Sequence, residues 1–122
     1  MERTPSERIL DEGALLDRIG GDAEFLRELA SMFGEQREQL LGEIRRALER
    51  SDLDGLARAA HTLKGCVGNL GAGVAFEAAR RLEMLARERR LEHARSFAEE
   101  VEAEVARFEA ALLRLAEELN RA

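Results

Sequence analysis

The sequence predicts an all-α fold, an antiparallel up-down four-helix bundle with a short extra helix at its N-terminus. Of the 122 residues, 45% are hydrophobic, 36% are charged and only 4% are aromatic. This balance is typical of a helical bundle and argues against a sheet. Apolar residues recur every three or four positions along four long segments, and short turns separate those segments. Long amphipathic helices joined by short turns pack as antiparallel neighbours.

The N-terminal part is expected to contain a tail and one short helix. Residues 1–8 are polar and include the only proline, which predicts a flexible tail before a single helical domain over residues 9–122. Apolar residues at helical spacing predict a first helix from Leu10 to Ile19. Gly20-Gly21 then ends this helix.

The second and third helices follow without a long connection. Asp22 is a suitable N-cap for a second helix that runs to about Arg50. Ser51, with Asp54 three residues later, resembles a capping box and predicts that Ser51 opens the third helix. The buried stripe of the third helix is a three-four alternation of Leu53, Leu56, Ala60, Leu63, Val67 and Leu70. His61 lies one position off this stripe, at its margin.

The last two helices complete the bundle. Gly71-Ala72-Gly73 predicts a turn, after which a fourth helix runs from about Ala72 to Arg89. A fifth helix, from about Leu91 to Leu119, repeats its apolar residues at heptad spacing. The short first helix is expected to lie across one end of the four long ones.

Composition argues against several classes of function. The net charge of −6, with arginines interleaved among glutamates, argues against a nucleic-acid role. The longest uncharged run has 12 residues, well short of the roughly 20 that span a bilayer, so no membrane insertion is expected. No apolar stretch follows the N-terminus as in a signal peptide, and a single cysteine allows no internal disulfide. These features predict a cytoplasmic protein.

One histidine and one lysine stand out from the rest of the chain. Lys64 is the only lysine, against 18 arginines, and it follows His61, one of two histidines, by three positions. On a helix this spacing places the two side chains on one face, about 5 to 6 Å apart at Cβ. Neutral imidazole is a nucleophile near neutral pH, and an ammonium can balance the charge of phosphoryl oxygens. Gly65 and Gly68 on the same strip predict an imidazole left uncovered.

The segment AHTLKGCVGNLGA resembles the phosphorylation motif of histidine-phosphotransfer (Hpt) domains from bacterial two-component phosphorelays. His61, Lys64 and Gly65, and less strictly Asn69, Leu70 and Gly71, match the pattern H-x-x-K-G-x-x-x-x-L-G of that family. The helix that follows, with its Arg81-Leu82-Glu83 turn, is also similar to the family. The resemblance covers about residues 9 to 115 and places the motif on the second long helix, where the family carries it. It departs from the family at Cys66, where serine or alanine is usual.

The resemblance implies a phosphocarrier without kinase activity of its own. His61 would carry the phosphoryl group on Nε2, Lys64 would sit by the phosphoryl oxygens, and Gly65 would leave room for the partner. The implied partners are the receiver domains of response regulators and a hybrid sensor histidine kinase. The receiver would supply Mg²⁺, so no cofactor of the chain's own is expected. A monomer is expected, with Lys64 exposed to solvent.

The resemblance also implies a docking face around His61. On the second helix it would include the following side chains: Phe25, Leu29, Met32 and Gln36. On the third helix, Ala57 and Gly68 lie in the strip beside His61. Gln36 is a candidate for a hydrogen bond near His61. The alternative for Leu29 and Met32 is that both are core residues, and Phe25 is the stronger candidate for partner contact.

Two other functions stay open at this stage. The chain could be a helical adaptor or scaffold in which His61 is an ordinary boundary residue, although this leaves the single lysine and both helix glycines unexplained. It could also be the Hpt domain of a kinase, phosphorylated by an ATP-binding core and not by an aspartyl phosphate. The sequence has no phosphate-binding loop for ATP.

Overall fold

A computed structural model of the chain describes residues 7–121 and confirms the all-α bundle. The helices are α1 Glu12–Ile19, α2 Ala23–Glu49, α3 Leu53–Asn69, α4 Val74–Arg87 and α5 Leu91–Arg121. α2 packs against α3 and α5, and α4 packs against the same two helices, which closes a four-helix bundle. Residues 7–121 contain no strand, only an isolated antiparallel bridge between Leu10 and Ala72.

Three aspartates begin three of the helices. The carboxylates of Asp11 and Asp22 accept hydrogen bonds from backbone N–H groups three residues later, which opens α1 and α2. Asp52 does the same for α3, since its carboxylate accepts from the N–H of Gly55 at 2.9 Å. The prediction that Ser51 caps α3 is therefore wrong. Ser51 has a left-handed backbone with φ of 56°, and its hydroxyl accepts a hydrogen bond from Arg95 on α5.

The segment before α1 fastens the turn between α3 and α4. α4 has no side-chain cap at Gly73, and the carbonyl of Arg8 accepts hydrogen bonds from the N–H groups of Gly73 and Val74 instead. The N–H of Asp11 donates to the carbonyl of Gly71 at 2.8 Å. Most of the predicted tail, residues 1–6, lies outside the described residues, whereas Arg8 belongs to the packed structure.

The core fixes the rotation of each helix about its axis. Phe33 of α2 and Phe108 of α5 meet edge to face with ring centroids 5.3 Å apart. On α3, Ala60 and Leu63 are fully buried on either side of His61. Successive residues on an α-helix are rotated by about 100°, so burial of these two neighbours turns position 61 towards solvent.

Candidate functional site

The imidazole of His61 lies open on the surface of α3. Its side chain is 61% exposed, although Ala60 and Leu63 beside it are buried. One turn on, a Cβ added to Gly65 would meet no atom within 4 Å, so the surface beyond the imidazole is unobstructed. The prediction of an uncovered imidazole is confirmed.

A buried glutamate on α4 holds the inner edge of this imidazole. Oε2 of Glu83 lies 3.1 Å from Nδ1 of His61. The same oxygen accepts hydrogen bonds from Nε and Nη2 of Arg87 at 2.9 and 2.7 Å. The other carboxylate oxygen, Oε1, lies 2.9 Å from Nζ of Lys64. Glu83 therefore joins His61, Lys64 and Arg87 in one cluster.

Glu83 is ionised although its side chain is only 9% exposed. Burial is the largest influence on its pKa and acts to raise it, because a low-dielectric environment disfavours the charged form. The cations of Lys64 and Arg87, with the hydrogen bond to His61, outweigh burial and lower the pKa from 4.5 to about 2. The carboxylate is thus fully charged near neutral pH.

The charge on Glu83 determines which nitrogen of His61 carries the proton. An ionised carboxylate has no hydrogen to donate, so Nδ1 of His61 must be the donor in the contact with Oε2. In neutral imidazole the other nitrogen then holds the free lone pair. In that neutral form the free lone pair of His61 therefore lies on Nε2, away from Glu83.

The side chain of Lys64 is less exposed than the sequence predicts. Its side chain is 23% exposed and is held by Glu83, so the expectation of a solvent-exposed lysine is wrong. The physical reason is the buried carboxylate, which draws the ammonium to the boundary of the core. Lys64 thus compensates Glu83 and stands one turn from His61 on the same helix face.

The residues of the predicted docking face on α2 divide between surface and core. Phe25 and Met32 are 43% and 55% exposed, which is high for large apolar side chains, and Gln36 is exposed as well. Leu29 is half-buried and packs against the core. Leu29 is thus partly a core residue, whereas Met32 is a surface residue.

The structure supports neither a docking role for Ala57 and Gly68 nor the predicted hydrogen bond between Gln36 and His61. Ala57 is buried and offers little side-chain surface. A Cβ on Gly68 would lie 2.9 Å from Cδ2 of Phe76, so α3 needs a glycine there to pack against α4. Within residues 7–121 the hydrogen bond of His61 is made by Glu83, and Gln36 makes none with it.

The remaining reactive side chains lie apart from this cluster. Nε2 of His93 is 3.1 Å from Arg90 at the exposed start of α5. Burial raises the pKa of the Cys66 thiol, which keeps it protonated. No three His, Cys, Asp or Glu side chains in the described part of the chain are arranged to hold a metal ion.

Comparison with known families bears directly on this cluster. The family model described as Hpt domain matches residues 28–111, well over half of the chain, and the match includes His61, Lys64 and Glu83. The chain belongs to the Hpt domain family. No curated protein and no solved structure gives a significant match.

Membership of the Hpt domain family implies the general function of such domains. Hpt domains take part in histidine phosphotransfer within two-component phosphorelays and interact with receiver domains of response regulators. None of the helices in residues 7–121 has the length and apolar character needed to cross a membrane.

Glu83 and Arg87 belong to the site of this Hpt domain, although the sequence pattern assigns neither of them a role there. Both lie on α4, some 20 residues after the histidine, and only the packing of α4 on α3 brings them to it. A weak signal was present in the sequence. Glu83 follows the buried Leu82 and precedes Arg87 by four residues, so a carboxylate borders an apolar stripe with a cation within reach.

Proposed function

We propose that this Hpt domain carries a phosphoryl group on Nε2 of His61 and passes it between aspartates of two receiver domains. The observation that carries this proposal is the contact between Nδ1 of His61 and the ionised, buried Glu83. It orients the ring and assigns the proton to Nδ1, while 61% of the side chain stays exposed to a partner.

The transfer step balances with the residues present and an aspartyl phosphate on the partner. The lone pair of Nε2 attacks phosphorus, a P–N bond forms, and the P–O bond to the aspartate breaks with release of its carboxylate. The imidazole then carries a positive charge, with its proton still on Nδ1. Glu83 faces that proton and stabilises the charge, because hydrogen bonds between ionised groups are about twice as strong as neutral ones. Transfer to the second aspartate reverses these bond changes.

Lys64 and Gly65 would serve the phosphoryl group from the side of α3. The ammonium of Lys64 lies one turn from His61 and can balance part of the charge on the phosphoryl oxygens. Phosphoryl transfer depends mainly on positioning and charge stabilisation, which these fixed groups supply. The open surface at Gly65 leaves space for an in-line approach by the partner.

The docking face in this proposal consists of His61, Gly65 and the exposed part of α2, namely Phe25, Met32 and Gln36. Exposed large apolar side chains such as Phe25 and Met32 are typical of a protein interface. A hybrid sensor histidine kinase would supply the phosphoryl group through its receiver, and a response regulator would accept it. Mg²⁺ would be bound by the receiver, and the Hpt domain would act as a monomer.

Transfer of labelled phosphate tests the proposal. Receiver domains phosphorylated with ³²P-labelled acetyl phosphate would be mixed with the Hpt domain and Mg²⁺. We expect the Hpt domain to acquire label that is lost in acid and survives base, as a P–N bond requires. His61→Gln should fold normally and stay unlabelled, while the matched variant His93→Gln should be labelled like the wild type.

Three outcomes would contradict the proposal. Label that persists in His61→Gln would place the phosphoryl group elsewhere. Label that comes only from ATP with a kinase core, and from no phosphorylated receiver, would favour the Hpt domain of an ATP-fed kinase. An adaptor protein would give no label under either condition.

A further inference from the structure

Three arginines without a carboxylate partner line one depression at the turn between α2 and α3. Arg46, Arg50 and Arg58 border a depression of about 330 Å³, and no ion pair involving any of them forms within residues 7–121. We call these three residues the basic patch. Most other arginines of the described chain are paired, for example Arg37 with Glu109 and Arg45 with Glu102.

Three carboxylates border this depression and the one next to it, namely Glu43, Asp52 and Asp54. Asp52 uses its side chain to cap α3, and Asp54 pairs with Arg89 at 2.9 Å. A second depression of about 350 Å³ adjoins the first and shares Arg58 with it. Together the two depressions are bordered by five arginines and three acidic residues, in a chain whose net charge is −6. The charge of this region is thus opposite to that of the whole chain.

The basic patch lies next to His61, at the opposite end from the apolar docking residues. Arg58 precedes His61 by one helical turn, and Thr62 borders the same depression as the three arginines. Arg46 and Arg50 belong to the C-terminal end of α2, whereas Phe25 and Met32 belong to its N-terminal half. His61 is eight residues, or about 12 Å, along α3 from Leu53, which places it between the two regions.

We propose that the basic patch binds an acidic segment on the receiver domain that exchanges phosphate with His61. This inference rests on the proposed function, because it requires that a partner docks over His61. Unpaired guanidinium groups favour carboxylates, which they bind in a planar, bidentate way. A chain of net charge −6 repels an acidic protein at long range, and a local basic patch turns that repulsion into attraction at one place. The patch therefore orients the acidic partner and raises its rate of association.

Charge reversal with a matched control tests this inference. The substrate would be whichever receiver domain, phosphorylated with acetyl phosphate, transfers to the wild-type Hpt domain fastest. The second-order rate constant for transfer would be compared for wild type, Arg50→Glu and Arg114→Glu. Arg114 lies on α5, is exposed and has no ion pair among the described residues, so the control makes the same change in net charge.

We expect Arg50→Glu to lower the second-order rate constant by about threefold to tenfold at about 0.01 M salt, where charges act over about 30 Å. The difference should shrink at about 1 M salt, where the Debye length is about 3 Å. Arg114→Glu should stay within about twofold of wild type under both conditions. The maximal rate at saturating receiver should not change in Arg50→Glu, since the patch affects encounter and not chemistry.

Each contrary outcome has a distinct meaning. Equal rate constants for Arg50→Glu and Arg114→Glu, with His61 still labelled, would refute the basic patch and leave the proposed function intact. Absence of label on His61 from every receiver would refute both. Competition by a short DNA duplex at the same patch, or a dimer of this chain that Arg50→Glu disrupts in sedimentation, would assign the patch to another occupant and overturn the inference.

Discussion

Replacement of Glu83 by glutamine should remove a pH-dependent part of the stability of this Hpt domain. In the folded protein the pKa of Glu83 falls from 4.5 to about 2, chiefly because Lys64 and Arg87 outweigh the effect of burial. One pKa unit corresponds to about 1.4 kcal/mol, so the cluster favours the charged carboxylate by about 3 kcal/mol. Glutamine has nearly the same shape and no charge, and so forfeits that amount while it can still accept a hydrogen bond from Nδ1 of His61.

The sign of the pH dependence follows from the lowered pKa. A carboxylate with a folded-state pKa below its unfolded value stabilises the fold fully above the unfolded pKa, and this stabilisation is lost as pH falls through the folded pKa. Wild type should exceed Glu83→Gln in unfolding free energy by about 3 kcal/mol at pH 7. The difference should shrink as pH falls from about 5 to about 2.

Chemical denaturation over this pH range would measure the difference, with Glu88→Gln as the matched control. Glu88 is an exposed carboxylate at the end of α4 and has no ion pair within the described residues. The control should track wild type at every pH. If Glu83→Gln also tracks wild type, the cluster stabilises neither the carboxylate nor the fold, and the reasoning is refuted.

Four further predictions concern the surroundings of His61 and the docking face. Lys64→Met should destabilise the fold by only about 1 to 2 kcal/mol at pH 7, because Arg87 still compensates the charge of Glu83. The same variant should shorten the lifetime of phosphohistidine. Lys64→Arg should restore most of the stability, and an unchanged lifetime in Lys64→Met would separate the ammonium from the phosphoryl group. Gly65→Ala should raise the unfolding free energy by roughly 0.5 to 1 kcal/mol, since its Cβ meets no atom. Gly68→Ala should lower the unfolding free energy by about 1 kcal/mol, because its Cβ crowds Phe76. Equal melting-temperature shifts of the two variants would contradict this contrast. Gly65→Gln should stay folded and lose transfer, and normal transfer would show that the partner does not approach there. Met32→Ser should change the unfolding free energy by no more than about 0.5 kcal/mol and should weaken receiver binding in calorimetry. The buried control Phe33→Ala should lose about 3 to 5 kcal/mol of unfolding free energy. Unaltered binding by Met32→Ser would remove α2 from the docking face.

The number of helices and most of their limits could be predicted from the sequence because their signals are local. Apolar spacing shows which face of a helix is buried, and the stop at Gly20-Gly21 follows from two left-handed glycines. The start of α3 was misplaced by one residue because Ser51 and Asp52 are both good caps. Their backbone conformations decide between them, and the sequence does not fix these.

The candidate site could be predicted only in part, because its residues come from two helices. His61, Lys64 and Gly65 lie within five residues of α3, where helical spacing alone brings them to one face. Glu83 reaches His61 only through the packing of α4 on α3, for which no local pattern exists. The two glycines of the strip were also alike in sequence, and only Phe76 distinguishes the packed Gly68 from the open Gly65.

The most direct test of this account is the position of the phosphoryl group on the histidine ring. The chain has two histidines, so ¹⁵N-histidine labelling with long-range ¹H–¹⁵N NMR after phosphorylation by a receiver domain would resolve all four ring nitrogens. We expect coupling of phosphorus to Nε2 of His61, while Nδ1 keeps its proton and its hydrogen bond to Glu83. Phosphorus coupled to Nδ1 of His61, or to either nitrogen of His93, would contradict the account.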